Sequence, residues 1–206
     1  MTRFGCRFAA AFVLCAGLPP ISYAADPRSP DWPCVQVKVP DVSVAAVWDG
    51  PLIEQAAAIW RDDPEIKDLV TRLAARRTPM EEAQKRIAEF LTGDAATKAD
   101  KGKRLFAGLF ETLNSQRTEI MNGLERLARS EKELAEQIRS NTSALHDLRD
   151  ESPPDQSKID ELASRVEWNM RVFEDRRKSI RYACELPVII EKRLFALSRT
   201  IQQGAE

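Results

Sequence analysis

The chain has 206 residues, with 31 basic and 32 acidic side chains and a formal net charge of −1. This balance argues against nucleic acid and anionic membrane surfaces as main partners. Charged residues make up 31% of the chain and both signs are interleaved, which is typical of the solvated exterior of helices.

The first 24 residues are predicted to be a secretory signal peptide. Arg3 and Arg7 give a basic start, and residues 8–18 are apolar but too short to span a bilayer. Small residues in Ser22-Tyr23-Ala24 favour cleavage after position 24. Cleavage leaves 29 basic residues against the 32 acidic ones, because two arginines leave with the signal. No second apolar segment approaches the ~20 residues of a membrane helix, so we expect a soluble protein exported to the periplasm.

The cysteines predict one disulfide bond. Cys6 and Cys15 leave with the signal, and Leu14 is too large for the position before a lipid-modified cysteine, which disfavours a lipoprotein. Cys34 and Cys184 remain, and two cysteines in an oxidising compartment have one intramolecular connectivity. Two free thiols and an intermolecular bridge are the alternatives. The absence of a C-x-x-C motif argues against a redox-active pair.

Residues 25–50 are predicted to form an extended, proline-rich segment, because prolines at this density prevent a continuous helix. Val35, Val37 and Val39 alternate with polar residues, which favours a strand-like run lying on the protein. Trp32 is expected to pack over the disulfide.

Residues 51–93 are predicted to form three short helices. Pro51 suits the first position of the first helix, and Asp63, followed by a proline, suits the N-cap of the second. Thr78 with Glu81 three residues later has the pattern of a capping box at the start of the third helix.

Residues 94–206 are predicted to form a long antiparallel helical hairpin with its turn at residues 152–155. Apolar side chains recur in alternating steps of three and four on both sides of this turn. Such a repeat lays a narrow apolar seam along a helix, and the seam needs a partner helix. The predicted fold is therefore all-α: a coiled-coil hairpin on a small helical base, preceded by the extended segment. The seam includes Phe106, Phe110, Leu113, Ile120, Leu124, Leu127, Leu134, Ile138, Leu162, Val166, Phe173, Ile180, Ile190, Leu194, Leu197 and Ile201.

The apolar stripe varies in width along the hairpin. It is broad near residues 105–113 and 186–197, and it narrows between about 128 and 178. A broad apolar face must be buried against more than one neighbour, and the short helices are the available cover. We therefore predict a compact base with an arm that projects by roughly 25 residues, or ~35 to 40 Å.

Polar residues interrupt the seam at five positions. Residues of this kind fix the alignment of paired helices at some cost in stability. Glu131 and Arg176 are expected to form an ion pair. Arg117 is expected to reach Glu185 or Glu191. The alternative is a polar strip that binds a partner. The five positions are Arg117, Glu131, Asn141, Asn169 and Arg176.

Pro187 lies within the second long helical pattern. A proline removes one backbone hydrogen bond and clashes with the carbonyl four residues earlier. We therefore expect a kink near Ala183, with Cys184 at the bend. The alternative is a break into two helices.

The sequence contains no recognisable catalytic or cofactor motif. The single histidine, His146, has no cysteine or histidine neighbours at metal-ligand spacing. Neither a Gly-x-Ser-x-Gly turn nor a phosphate-binding loop is present. We therefore expect a protein that is not an enzyme and that holds no metal or cofactor. The arm resembles the helical hairpins of secretion and efflux adaptors, but the chain has no β-rich, lipoyl-like flanks, and the resemblance implies no site residues.

These features favour a non-catalytic interaction or scaffold module whose partner is another envelope protein. Self-association of two arms and a carrier of a small apolar ligand in the base are the alternatives. The residues expected to contact a partner at the arm tip are Leu145, His146, Leu148 and Ile159. The aromatic residues expected to line a ligand pocket are Trp48, Trp60, Phe110 and Phe195.

Overall fold

A computed structural model describes residues 29–206 and confirms the predicted all-α class. No β-strand occurs in these residues. At 1.5 Å per residue the fourth helix is ~84 Å long, and the last two helices run back along it. The helices are α1 (Glu54–Ile59), α2 (Pro64–Ala74), α3 (Met80–Phe90), α4 (Ala95–Asp150), α5 (Gln156–Ala183) and α6 (Leu186–Ala205), with 3-10 turns at Val44–Ala46 and Trp60–Asp62.

The hairpin closes at a short turn between α4 and α5. Asp155 caps α5 by accepting a hydrogen bond from the amide of Lys158 at 3.2 Å. Each helix buries one apolar stripe against the other, as the three-four repeat predicts. The buried apolar residues that α4 and α5 contribute beyond Leu113 are Met121, Leu124, Ala128, Leu134, Leu145, Ile159, Val166 and Ile180.

The base forms where the three short helices cover the open end of the hairpin. α1, α2 and the first turns of α4 meet on one side, and α3 packs on α6. Trp48, from the segment before α1, stacks on Phe106 with ring centroids 4.2 Å apart. The core that results is continuous, so the broad apolar faces near both ends of the hairpin are buried against more than one neighbour. Its fully buried members include Ile66, Leu73, Ile87, Leu105, Phe106, Leu109, Leu113, Leu194, Leu197 and Ile201.

Gly108 marks a point of close packing between α4, α2 and the Trp60 turn. A methyl group at this position would lie 2.7 Å from Cγ2 of Val70 and 2.9 Å from Cε3 of Trp60. Because these distances are shorter than van der Waals contact, any larger residue would push α4 away from α2 and the Trp60 turn.

Side chains cap both ends of α2. Asp63 accepts a hydrogen bond from the amide of Ile66 at 3.3 Å, as the N-cap prediction requires. Arg193 of α6 donates to the carbonyl of Leu73 at 2.8 Å and to the carbonyl of Thr78 at 3.0 Å. This arginine satisfies carbonyls that the end of α2 leaves free, and it ties α6 to the short helices.

Two predicted helix starts are wrong. Pro51 lies outside α1, and its carbonyl accepts a hydrogen bond from the indole of Trp48 at 2.9 Å. Thr78 does not cap α3, which has Pro79 at its N-cap. The hydroxyl of Thr78 instead donates to the carbonyl of Arg72 at 2.8 Å. In both places a contact with a neighbouring segment takes precedence over the local capping pattern.

The kink predicted at Pro187 is also wrong, because the chain divides into two helices there. Cys184 and Glu185 form a turn between α5 and α6, and both keep right-handed helical dihedral angles. The amide of Glu185 donates to the carbonyl of Tyr182 at 3.2 Å, a tighter pattern than that of an α-helix. Pro187 then occupies the first turn of α6, where its missing N–H needs no helical partner.

The extended segment lies along α4 and runs in the opposite direction. Asp31 is 2.8 Å from the amine of Lys132, Lys38 is 2.5 Å from Glu125, and the next residues of the segment reach Arg117. The segment therefore accompanies about four turns of α4 before it enters the base.

The polar residues of this segment, and not the valines, face the protein. Val35 and Val37 are 82% and 71% exposed. Gln36 donates to the carbonyl of Cys184, and Lys38 pairs with Glu125. An alternation of apolar and polar residues does not determine which of the two sets faces the protein. Here the polar set faces it, because its side chains form hydrogen bonds with the helices.

The predicted signal peptide and its cleavage site lie outside the described residues. Among residues 29–206, every helix lacks an apolar stretch long enough to cross a bilayer.

Candidate functional site

The predicted disulfide is confirmed at the point where the arm meets the base. Cys34 and Cys184 are bonded across a sequence separation of 150 residues, with their Cα atoms 5.5 Å apart. Trp32 packs beside the bond with Leu124 and Ile180. This junction cluster fastens the extended segment to both helices of the hairpin.

Arg117 lies in the seam next to this cluster and is 3% exposed. Its Nε donates to Glu191 at 2.5 Å, its Nη1 donates to the carbonyl of Pro40 at 3.0 Å, and its Nη2 donates to the carbonyl of Val39. A buried charge with this many partners is well compensated. Arg117 thus joins α4, α6 and the extended segment.

Glu131, farther along the seam, has fewer partners. It is 6% exposed, and its Oε1 lies 3.3 Å from Nη1 of Arg176. Its Oε2 has no hydrogen-bond partner within the described residues. Asn141 and Asn169, the other two polar positions of the arm, are half-buried. The seam of the arm therefore contains polar groups that are only partly satisfied.

The four residues predicted to contact a partner at the tip have different environments. Leu145 and Ile159 are each 7% exposed and hold the two helices together. Leu148 is half-buried, and His146 is exposed. Of the four, only His146 presents its whole side chain to a partner.

A different apolar surface is open on the outer side of α5. Trp168 and Tyr182 are 61% and 75% exposed, and Val172 between them is half-buried. Trp168 and Tyr182 lie fourteen positions apart, which is close to four helical turns, so they share one face. The guanidinium of Arg171 lies 5.7 Å from the centroid of the Trp168 ring. We call the surface formed by Trp168, Val172 and Tyr182 the outer face of α5.

The extended segment leaves this outer face uncovered. Tyr182 and Cys184 are two residues apart, so their side chains point to nearly opposite sides of the helix. The disulfide holds the segment on the Cys184 side. The sequence contained a signal for this surface, since Trp168 and Tyr182 each precede a seam position by one residue. An aromatic residue outside the seam of a two-stranded coiled coil has no partner helix to cover it.

A groove with a volume of about 790 Å³ lies on the base between α1, the loop before it, and α4. Trp48 and Phe110 line it, as predicted for a ligand pocket. Trp60 is buried in the core and does not line it, and Phe195 lies on a second groove of about 600 Å³ on the other side of Trp48. The structure therefore does not bring the four predicted aromatic residues together. We call the first of these cavities the base groove.

Glu111 is the acidic residue at the middle of the base groove. Its carboxylate accepts hydrogen bonds from the guanidinium of Arg61 and from the indole of Trp60, the latter at 2.9 Å. The bond from Arg61, with a smaller contribution from Trp60, lowers the pKa of Glu111 although partial burial opposes this. Glu111 therefore stays ionised at neutral pH. In residues 29–206 no three acidic, histidine or cysteine side chains converge on a point that could hold a metal ion.

Comparisons of the chain with protein-family models, with curated proteins and with solved structures returned no match. The outer face of α5 and the base groove are therefore the candidate functional surfaces of the described residues.

Proposed function

We propose that the protein is a non-catalytic interaction module of the bacterial periplasm that docks another envelope protein on the outer face of α5. The observation that carries this proposal is the exposure of Trp168 and Tyr182 on one side of a single helix. Tryptophan and tyrosine are the residues most enriched among those that dominate binding energy at protein interfaces. Each offers a large apolar area together with one polar group, which suits a surface that is exposed to water before a partner binds.

The shape of the hairpin supports the same proposal. The described hydrogen bonds between residues 29–93 and α4 extend no farther than Lys132. From there to the end of α4, over about 18 residues or ~27 Å, the described residues show α4 packed on α5. A projection of this length buries little surface that would stabilise the base. Use of the projection as a spacer or a contact surface therefore explains its length better than a role in folding does.

The position of the junction supports a defined orientation of the arm. The disulfide and Arg117 both lie on the base side of the projection, where they tie the extended segment to α4 and to the α5–α6 region. A surface held at a fixed angle loses less conformational entropy when it binds than one on a loose hinge.

Site-specific photocrosslinking in intact cells tests the proposal. A photoreactive amino acid replaces Trp168 in one strain and Glu174 in a second, since Glu174 is also exposed on α5 but lies off the outer face. We expect adducts with a different envelope protein from position 168, at a yield at least tenfold higher than from position 174.

Adducts that contain only two copies of this chain would replace the proposal with the self-association alternative. Equal yields from the two positions, or no adduct from position 168, would contradict docking on the outer face. In a quantitative assay with the captured partner, Trp168→Ala should weaken binding by roughly 2 kcal/mol or more, or about 30-fold. Glu174→Ala is its matched control and should have little effect.

A further inference from the structure

The base groove has one apolar end and one end rich in hydrogen-bond acceptors. Ala107 and Phe110 of α4 line the apolar end together with Trp48 and Ile53. Asn114, Thr118 and Glu119 follow along the same face of α4 and line the other end. The span from Ala107 to Glu119 is ~18 Å along the helix axis. This arrangement matches a molecule with an apolar body and a polar head.

The apolar end holds side chains that a bound molecule would cover. Leu52 at the rim of the groove is 85% exposed. Ala57 of α1 is half-buried, and its short side chain leaves space between α1 and α4. The volume of about 790 Å³ lies within the range of ~300–1,000 Å³ that is usual for small-molecule sites.

The acceptor end is complementary to a positive charge. The lining includes Glu54, Glu111 and Glu119 and has no lysine, arginine or histidine. Arg61 neutralises Glu111, but no ion pair within residues 29–206 involves Glu54 or Glu119. An acidic lining of this kind favours cations and repels carboxylates and phosphates.

Asn114 supplies an independent indication of a hydrogen-bond donor in the ligand. Its side-chain oxygen is buried and has no hydrogen-bond partner within the described residues. A buried acceptor without a partner costs roughly 1–3 kcal/mol. The oxygen is closed to the groove as the side chain stands, and a turn of the Asn114 amide toward the groove would pair it with a donor of a bound molecule, of which an ammonium group carries several.

We propose that the base groove binds a small organic cation with an apolar body, of the alkylammonium class. Its ammonium group lies at the acceptor end, beside Asn114 and Glu119. Its hydrocarbon part lies between Trp48 and Phe110, where it covers the apolar surface that the groove leaves open. This binding site is separate from the outer face of α5 and does not depend on the proposed docking function.

Calorimetric titration of the disulfide-bonded protein with octylammonium and with octanoate tests the site. The two probes have the same hydrocarbon tail and opposite charge, and both are used below the concentration at which they form micelles. We expect octylammonium to bind at least tenfold more tightly than octanoate. Equal affinities, tighter binding of octanoate, or no binding of octylammonium would overturn the proposal.

A matched pair of variants tests the location. Ala57→Phe fills the apolar end of the groove and should weaken octylammonium binding at least tenfold. Ala58→Phe places the same side chain on the exposed side of α1, outside the groove, and should change the affinity less than twofold. Equal affinities in the two variants would place the binding elsewhere and overturn the proposal. If Ala57→Phe does not fold, Asn114→Leu should weaken octylammonium binding about fivefold, and an unchanged affinity would overturn the role of the acceptor end.

Discussion

The base and the arm are built from the same two long helical stretches, yet they hold them together in different ways. In the base, residues such as Phe106 and Leu197 are fully buried by neighbours on several sides. In the arm, the described residues show α4 and α5 packed mainly on each other, and their seam includes polar groups such as Glu131. The difference shows that one continuous heptad pattern can serve a core at one end and an exposed projection at the other, depending on which short elements cover it.

The two regions also treat polar seam residues differently. Arg117, on the base side of the arm, has hydrogen-bond partners from two other elements, α6 and the extended segment. Glu131, four helical turns farther along α4, has one oxygen without a partner among the described residues. A buried charge is tolerated where its hydrogen bonds are complete and costs stability where they are not. Substitutions at these positions and at the disulfide test this contrast.

Removal of the disulfide should have the largest effect. Replacement of both Cys34 and Cys184 by serine is expected to lower the free energy of unfolding by about 2–5 kcal/mol, because the bond closes a long loop of the unfolded chain. Urea denaturation followed by circular dichroism measures this change. Loss of less than ~1 kcal/mol would mean that the extended segment is held by its other contacts alone.

Substitution of Arg117 tests the seam position where the hydrogen bonds of the buried charge are made. Arg117→Met keeps an unbranched apolar stem but removes the guanidinium and leaves the carbonyls of Val39 and Pro40 without donors, so we expect a loss of about 3 kcal/mol. Arg126→Met, at an exposed position of the same helix, is the matched control and should change stability by less than ~0.5 kcal/mol. Equal effects of the two substitutions would contradict the role assigned to Arg117.

Substitutions at two glycines of α4 test whether the base is packed more tightly than the hairpin beyond it. Gly108→Ala should destabilise the protein by roughly 1–2 kcal/mol, because its methyl group meets Val70 and Trp60. Gly123→Ala should stabilise it by roughly 0.5–1 kcal/mol, since the nearest atom to its methyl group is the flexible end of Arg126, 3.7 Å away. Thermal unfolding of both variants measures the sign, and the same sign for both would contradict the contrast in packing.

Glu131→Leu tests the position in the seam where the buried carboxylate lacks a full set of hydrogen bonds. We expect a gain of about 1 kcal/mol, because leucine removes a poorly partnered carboxylate from an apolar seam. The measured gain should be larger at high salt than at low salt, because the Arg176 side chain is 43% exposed and salt weakens the attraction to Glu131 that the substitution removes. A loss of stability would show that the Glu131–Arg176 pair contributes more than its geometry suggests.

The main features of the fold could be predicted because they depend on long repeats of apolar residues and on the number of cysteines. The three-four pattern around Pro153-Pro154 specifies a hairpin, and one bond is predicted once the two cysteines of the predicted signal peptide are set aside. Local features were less predictable, because tertiary contacts decide them. Thr78 has a capping pattern, but its hydroxyl bonds to Arg72, and Pro187 fits a new first turn as well as a kink.

The candidate sites were harder to predict than the fold. The outer face of α5 was visible in principle, since Trp168 and Tyr182 lie outside the seam. The base groove was not, because its lining comes from the loop before α1, from α1 itself and from one face of α4. The positions of these elements relative to one another depend on packing such as that at Gly108, which no local pattern encodes.

Removal of equal lengths from both helices of the hairpin is the sharpest test of the claim that the arm provides a contact surface and the base provides the stability of the fold. Deletion of residues 134–147 and 160–173 removes two heptads from each helix and keeps the register of the remaining seam. We predict that the base of the shortened protein, followed by near-ultraviolet circular dichroism in urea, unfolds with a free energy within ~1 kcal/mol of the full-length value. A loss of several kcal/mol would show that the arm is part of the folding core and would contradict the account.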